Sequence, residues 1–115
     1  MAGDVSELLP LNPRAFYILL SLAEEERHGY AISKAVESIT GGTVRLTPGT
    51  LYPLIRQMLV DGWVVELEAD GEDARRRPYR LSPLGRRVAQ AEARRLDELV
   101  QMARSFHLLP AGGRP

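Results

Sequence analysis

The chain contains no cysteine. That absence excludes a disulfide framework, thiol catalysis and cysteine-ligated zinc together. Histidine is nearly absent as well. His28 and His107 lie far apart in sequence, with no clustered acids beside a nucleophile. Gly41-Gly42 and Gly112-Gly113 lack the strand-to-helix context of a phosphate loop. No catalytic residue, metal ligand or cofactor is therefore expected, and the chain reads as a non-enzyme. Long apolar runs are missing too, the longest falling far short of the roughly 20 residues that cross a bilayer. Met1-Ala2-Gly3-Asp4 places an acid where a secretory leader carries bases. A soluble cytoplasmic protein without a membrane partner is expected.

Net charge is also lacking: fifteen basic and fifteen acidic residues cancel over 115 positions. What remains is an uneven distribution. Arg75, Arg76, Arg77, Arg80, Arg86 and Arg87 follow one another without an intervening acid, and the five acids from Glu66 to Asp73 precede them without a base. Fourteen of the fifteen cations are arginine, whose planar fork suits phosphate and guanine better than an ammonium does. On charge alone, a solvated turn whose acids and arginines neutralise each other stays open as a reading, so the order of elements has to decide.

A hydrophobic content of 44% is ordinary for a folded chain, and the length suits one small domain. Asn12-Pro13 is a cap followed by proline at the first helical position. It opens a helix to about Glu25 with Phe16, Leu19, Leu20 and Ala23 on one face. Glu24 to Arg27 is a polar connector. A second helix opens at His28-Gly29-Tyr30, repeats Ile32, Ala35, Val36 and Ile39 at helical spacing, and stops at Gly41-Gly42. Thr43 to Leu46 is a short β-like step.

Thr47-Pro48 starts a third helix in which Leu51, Leu54, Ile55 and Met58 face the core. Gly49, Pro53, Arg56 and Val60 point the other way, with Thr50 and Gln57 on one flank and Tyr52 on the other. Pro53 removes the bond to the Gly49 carbonyl, which predicts a tightened or bent first turn. Asp61-Gly62 ends the helix. Trp63–Leu67 and Arg76–Leu81 read as two strands of a hairpin, with Tyr79 and Leu81 on one face and Arg80 on the other. The lone Trp63 reads as a strand residue capping the core, with a ligand contact as the other reading. Ser82-Pro83 opens a last helix to about Phe106, roughly 36 Å long at 1.5 Å per residue. Its seven-residue repeats, Ala89, Leu96, Ala103 and Glu92, Leu99, Phe106, widened by Val100, exceed what so small a domain buries alone and read as a dimerisation arm, with folding back on its own domain as the other reading.

A capped helix followed by a basic hairpin is the layout of a winged helix-turn-helix, a fold that reads duplex DNA. The fold class expected is mainly α with a small β-hairpin, plus a long C-terminal dimerisation helix. Residues 1–11 form an N-terminal arm, 12–81 the winged-helix domain, 82–107 the dimerisation helix and 108–115 a disordered tail. The homodimer seam is expected at Phe16, Ala89, Leu96, Leu99, Val100, Ala103 and Phe106. An effector pocket, if the protein has one, is expected among Phe16, Leu96, Leu99, Val100 and Phe106.

His28-Gly29-Tyr30, Leu46-Thr47-Pro48-Gly49-Thr50-Leu51-Tyr52, Asp61-Gly62 and Arg77-Pro78-Tyr79-Arg80-Leu81-Ser82-Pro83-Leu84-Gly85 together resemble the PadR family of bacterial transcriptional regulators, in its compact form with one C-terminal helix. The likeness spans about residues 14 to 100. It implies a homodimeric DNA-binding protein, usually a repressor, released in many members by a small aromatic or drug-like effector. Pro78 departs from the pattern, since a residue with a free N–H is commoner there.

On this reading duplex DNA meets Thr47, Gly49 and Thr50 at the start of the third helix, where free N–H groups suit a phosphate. Thr47 is also readable as a plain cap. Tyr52 resembles the family's DNA-facing tyrosine, or else packs on the second helix. Arg56 suits guanine and Gln57 adenine. Tyr30 and Lys34 clamp a phosphate, and Arg75, Arg76 and Arg77 follow the backbone or the minor groove. His28 is a helix-start hydrogen-bonder or a phosphate ligand. Arg86 and Arg87 contact the DNA backbone or are simply exposed. A winged helix used only for protein–protein contacts is the competing reading, with Arg56 and the arginine triplet standing against it.

Overall fold

The computed structural model describes residues 4–69, 71 and 76–111. Arg75, Asp70 and most of the acidic run that follows it lie outside them. Four α-helices, α1 (Pro13–Glu24), α2 (Gly29–Ile39), α3 (Pro48–Asp61) and α4 (Pro83–Ser105), are joined by a hairpin of β1 (Val64–Glu66) and β2 (Tyr79–Leu81) between α3 and α4. The mainly helical winged helix-turn-helix read from the sequence is the observed architecture.

Helix starts follow the local chemistry. The Asn12 side chain accepts the Arg14 N–H at 2.8 Å, and the Ser82 hydroxyl accepts that of Gly85 at 3.0 Å, each satisfying an otherwise orphaned donor. Helix ends are as regular. Gly62, at φ +81°, gives its N–H to Leu59 while Trp63 gives its own to Met58 at 2.9 Å, the paired bonds of a glycine-terminated helix. Gly41 and Gly42 close α2 in the same way, through Ser38 and Glu37.

The core is assembled from Ile18, Leu19, Ile32, Val36, Leu51, Ile55, Val64 and Val88, each at most 2% exposed. Burial of side chains of this size contributes about 1.5–3 kcal/mol each. In α3 the inward set is Leu51, Ile55 and Met58, with Leu54 half-buried. Two helices depart from the expected face. α1 buries Ala15, Ile18, Leu19 and Leu22, whereas Leu20 is 36% exposed, Ala23 is exposed and Phe16 is half-buried. This helix is apolar almost all round, so spacing alone does not choose its inner side. In α2, Ile39 is half exposed because it ends the helix beyond the core.

Both strands are shorter than expected. Val64 pairs with Leu81, Val65 with Arg80 and Glu66 with Tyr79. The connector before α2 supplies an unexpected third pairing: Arg27 and Tyr79 exchange both backbone bonds, at 3.0 and 2.8 Å. Pro78 precedes β2, is buried, and uses its carbonyl to accept the Leu67 N–H at 2.8 Å. Pro78 faces Leu67 in a hydrogen-bonded pair of the ladder, so its missing N–H removes the return bond and pairing is restricted there. The β-like step at Thr43–Leu46 joins no strand. Its backbone is satisfied by side chains, with Val44 N–H donating to the Thr40 hydroxyl oxygen at 3.1 Å and the Ser33 hydroxyl donating to the Leu46 carbonyl at 3.1 Å.

The N-terminal segment contains a short 3-10 helix, Val5–Leu8, that packs on α4. Leu11 N–H donates to the Glu92 carboxylate at 3.3 Å, and Arg95 grips both oxygens of that carboxylate at 2.7 and 2.9 Å. At the root of α4, a Cβ added to Gly85 would stand 2.8 Å from the Trp63 carbonyl carbon and overlap its oxygen. Only glycine lets these backbones approach so closely.

Candidate nucleic-acid interface

α3 turns an open face to solvent. Gly49, Pro53, Arg56 and Val60 are all exposed, with Val60 78% accessible, as the spacing predicts from the inward residues. The helix continues through Pro53. At its start, Leu51 N–H and Thr50 N–H both reach the Thr47 carbonyl, at 2.8 and 3.0 Å, so the first turn is tightened there. Thr47 occupies the cap position without capping through its side chain. Its hydroxyl instead lies 3.4 Å from that of Thr50. Two hydroxyls and the small Gly49 thus stand together at the positive end of the helix. Gln57 turns away from them, donating to Asp61 at 3.0 Å.

The start of α2 lies against this helix. The Tyr52 ring occupies the space where Gly29 has no side chain: a Cβ there would lie 2.8 Å from Cζ and 2.9 Å from Cε1. Tyr52 nevertheless stays 40% exposed, so its two sequence readings are compatible. One turn along α2, the Lys34 ammonium sits 5.8 Å from the centre of the Tyr30 ring, within cation–π range. Tyr30 is 72% exposed and Lys34 is exposed. His28 holds the cap position of α2 without a side-chain cap bond, and its buried Nε2 has no hydrogen-bond partner among the described residues.

On the hairpin, Arg76, Arg77 and Arg80 are exposed. Arg75 lies outside the described residues. Tyr79 links the wing to α3. Burial first, then the charge of Glu66 and the neighbouring Tyr52, raise its phenol above the ordinary value, with Arg77 opposing. Arg86 and Arg87 are exposed on the first turns of α4. Among the described residues, ion pairs engage Arg27 with Glu24 and Glu25, Arg45 with Glu37, and Arg95 with Glu92.

Along α4 the expected seam residues divide. Ala89 packs against the protomer's own core, and Leu96, Val100 and Ala103 are half-buried. Leu99 is 47% and Phe106 76% exposed, joined by Met102 at 57%. Phe16 on α1 is half-buried against the core.

Sequence reasoning missed three residues that hold the site in place. Arg27 fixes the wing to the start of α2, Glu92 fastens the N-terminal segment to α4, and Gly85 sets the close approach at Trp63. Only Glu92 left a signal, as a carboxylate inside an apolar seven-residue repeat. Among the described residues, no group of three or more His, Asp or Glu is placed to hold a metal ion, and no helix is long and apolar enough to cross a membrane.

Comparison with known proteins agrees with this geometry. The model of the transcriptional regulator PadR-like family matches residues 18–91. Transcriptional regulator Rv3488 of Mycobacterium tuberculosis is 32% identical over 85 residues, which cover 74% of this chain and 77% of that protein. A 37.1 kDa protein of transposon TN4556 from Streptomyces fradiae is 36% identical over 88 residues. That match covers 76% of this chain but only 24% of the relative, so the chain spans about a quarter of its length. Among solved structures, a transcriptional regulator from Clostridium thermocellum superposes with a TM-score of 0.68 at 25% identity, over 80% of this chain and 87% of that one. A PadR family regulator from Clostridium difficile shares the fold, with a TM-score of 0.70 at 18% identity over 83% and 98% of the two chains. Sequence, fold and motif geometry coincide: the chain belongs to the PadR-like family of transcriptional regulators.

Proposed function

We propose that this regulator binds duplex DNA sequence-specifically as a homodimer, acting as a repressor at a palindromic operator from which a small effector releases it. The observation that carries the reading is the seating of α3. Its inner side is locked by Leu51, Ile55 and Met58 while its outer side leaves Gly49, Pro53 and Arg56 uncovered.

Each neighbour then has a role. Thr47 and Thr50 offer hydroxyls, and the first-turn N–H groups suit a phosphate. Arg56 reaches a guanine edge. Tyr52 touches the DNA with its exposed edge while its other side holds α2. Tyr30 and Lys34 clamp the adjoining backbone. Gln57 contributes once it leaves Asp61. Arg75, Arg76 and Arg77 hold the flanking phosphates or the minor groove. A second copy of the chain covers the exposed apolar side of α4 at Leu99, Met102 and Phe106, with Leu96, Val100, Ala103 and Phe16 beside it. Two-fold pairing places the two α3 helices in successive major grooves about one turn apart (10–10.5 bp). Repression and effector release rest on the family relationship.

The test is an anisotropy titration of the duplex upstream of the chain's own gene at low ionic strength, together with sedimentation of the free protein. Saturable binding by a dimer, abolished by combined Arg56→Ala, Arg76→Ala and Arg77→Ala substitution, is expected. Binding that survives all three changes, or a stable monomer that ignores the duplex, overturns the proposal and favours a protein-contact module.

A further inference from the structure

A second site lies behind α3, on the side away from Gly49 and Arg56. Leu8 and Leu11 of the N-terminal segment, Leu54 and Met58 of α3, and Trp63 line a half-open cleft of about 220 Å³. It is smaller than the roughly 300–1,000 Å³ of pockets that take drug-sized ligands, which limits an occupant to one or two rings. Its walls are mainly apolar, and Asp61 is the single ionisable side chain among the lining residues. Asp61 stands at the C-terminal end of α3, where the helix dipole adds negative potential. Trp63 offers an indole to a cation. Asn12, also in the lining, presents an amide whose oxygen already accepts the Arg14 N–H, leaving its N–H groups to donate.

From this lining we propose that the cavity binds a small aryl-alkyl amine, its ring among Leu11, Leu54, Met58 and Trp63 and its ammonium on Asp61. The site also has a path to the DNA-facing side. Asp61 is the acceptor that holds the Gln57 amide at 3.0 Å through one of its two oxygens, so an ammonium on the same carboxylate shares its charge and loosens Gln57. The occupant additionally touches the N-terminal segment, which Glu92 ties to α4. This gives the cavity a ligand class and a place away from the subunit seam; because it loosens Gln57, such a ligand favours DNA binding and is distinct from the releasing effector. It rests on the regulator reading only for its consequence, not for the binding itself.

The sole tryptophan makes binding directly readable without DNA. Phenethylamine titrated into the full-length protein should change Trp63 fluorescence saturably, and 3-phenylpropionate, which carries the opposite charge, should not. Asp61→Asn should weaken the amine about two- to fivefold, the range expected of one exposed ion pair. Asp61→Lys, a cation favoured at a helix C-terminus, should reverse the preference between amine and acid. Thermal melts of both variants confirm that they fold. No saturable change, equal binding of amine and acid, or unaltered amine affinity in both variants overturns the proposal. A protein that binds the amine but no duplex retains this site and loses the DNA reading, so the two failures are distinguishable.

Discussion

Gly29 and Tyr52 form one joint: the tyrosine ring fills the volume that any side chain at position 29 would claim. The His-Gly-Tyr and Pro-Gly-Thr-Leu-Tyr motifs, twenty-odd residues apart in the chain, are therefore two halves of a single contact between α2 and α3. Gly29→Ala gains helix propensity but forces Tyr52 to move, so a net loss of about 1–3 kcal/mol is expected. Adding Tyr52→Phe removes the hydroxyl nearest the new methyl and should recover part of that loss. Urea denaturation of the two single variants and the double variant measures the coupling; strictly additive losses contradict the joint.

At Gly85 no such relief exists, because the opposing atoms are the Trp63 carbonyl rather than the end of a side chain. Gly85→Ala should cost about 3 kcal/mol or more, at or beyond the upper end of usual overpacking costs, and the loss should be visible as a lowered thermal midpoint. Ser82→Ala, three residues earlier, removes the hydroxyl that accepts from Gly85 N–H and donates to the Gly62 carbonyl. About 1 kcal/mol is expected there. A larger effect at Ser82 than at Gly85 contradicts this ranking.

Acid sensitivity should centre on Glu92. Its carboxyl is held below the ordinary value first by the Arg95 bonds and then by Arg95 charge and the Leu11 N–H, with burial opposing. A group depressed in the folded state contributes stability above its unfolded value, near 4.5, and loses it as pH falls through the lower folded value. Folding free energy measured by urea titration should thus decline below about pH 4.5, and Glu92→Gln should flatten that portion of the curve. Arg95→Ala leaves the carboxylate, only 3% exposed, with the Leu11 bond alone and should cost about 2 kcal/mol at neutral pH.

On the proposed DNA-binding reading, the exposed arginines of α3 and the hairpin separate by salt. Arg56→Ala should cost about 1–3 kcal/mol on the preferred operator and relax discrimination at one base pair. Arg76→Ala and Arg77→Ala should weaken all duplexes alike and flatten the log-affinity against log-salt slope by about 0.9 for each phosphate no longer neutralised. Identical salt slopes for native protein and both wing variants contradict backbone binding by those arginines.

Features set by neighbouring residues were legible in the sequence. The Asn12 and Ser82 caps, the glycine stops at Gly41 and Gly62, and the outward face of α3 each follow from a few consecutive positions. The inner side of α1 was not, since apolar residues surround it and only its tertiary neighbours select Ile18 and Leu22. The pairing of Arg27 with Tyr79 was hidden because it joins a polar connector to a strand more than fifty residues away. Gln57 and Asp61 lie one helical turn apart, a spacing at which amide and carboxylate pair, so that bond was open to reading from the sequence beside the adenine contact.

The bare α-carbon at position 85 makes the corner between rod and wing a rigid weld. In the proposed two-fold assembly, the separation of the two α3 helices would then be governed by how the rods cross, with little adjustment at their roots. On the proposed dimer reading, a shift in operator spacing would therefore arise where the two copies meet.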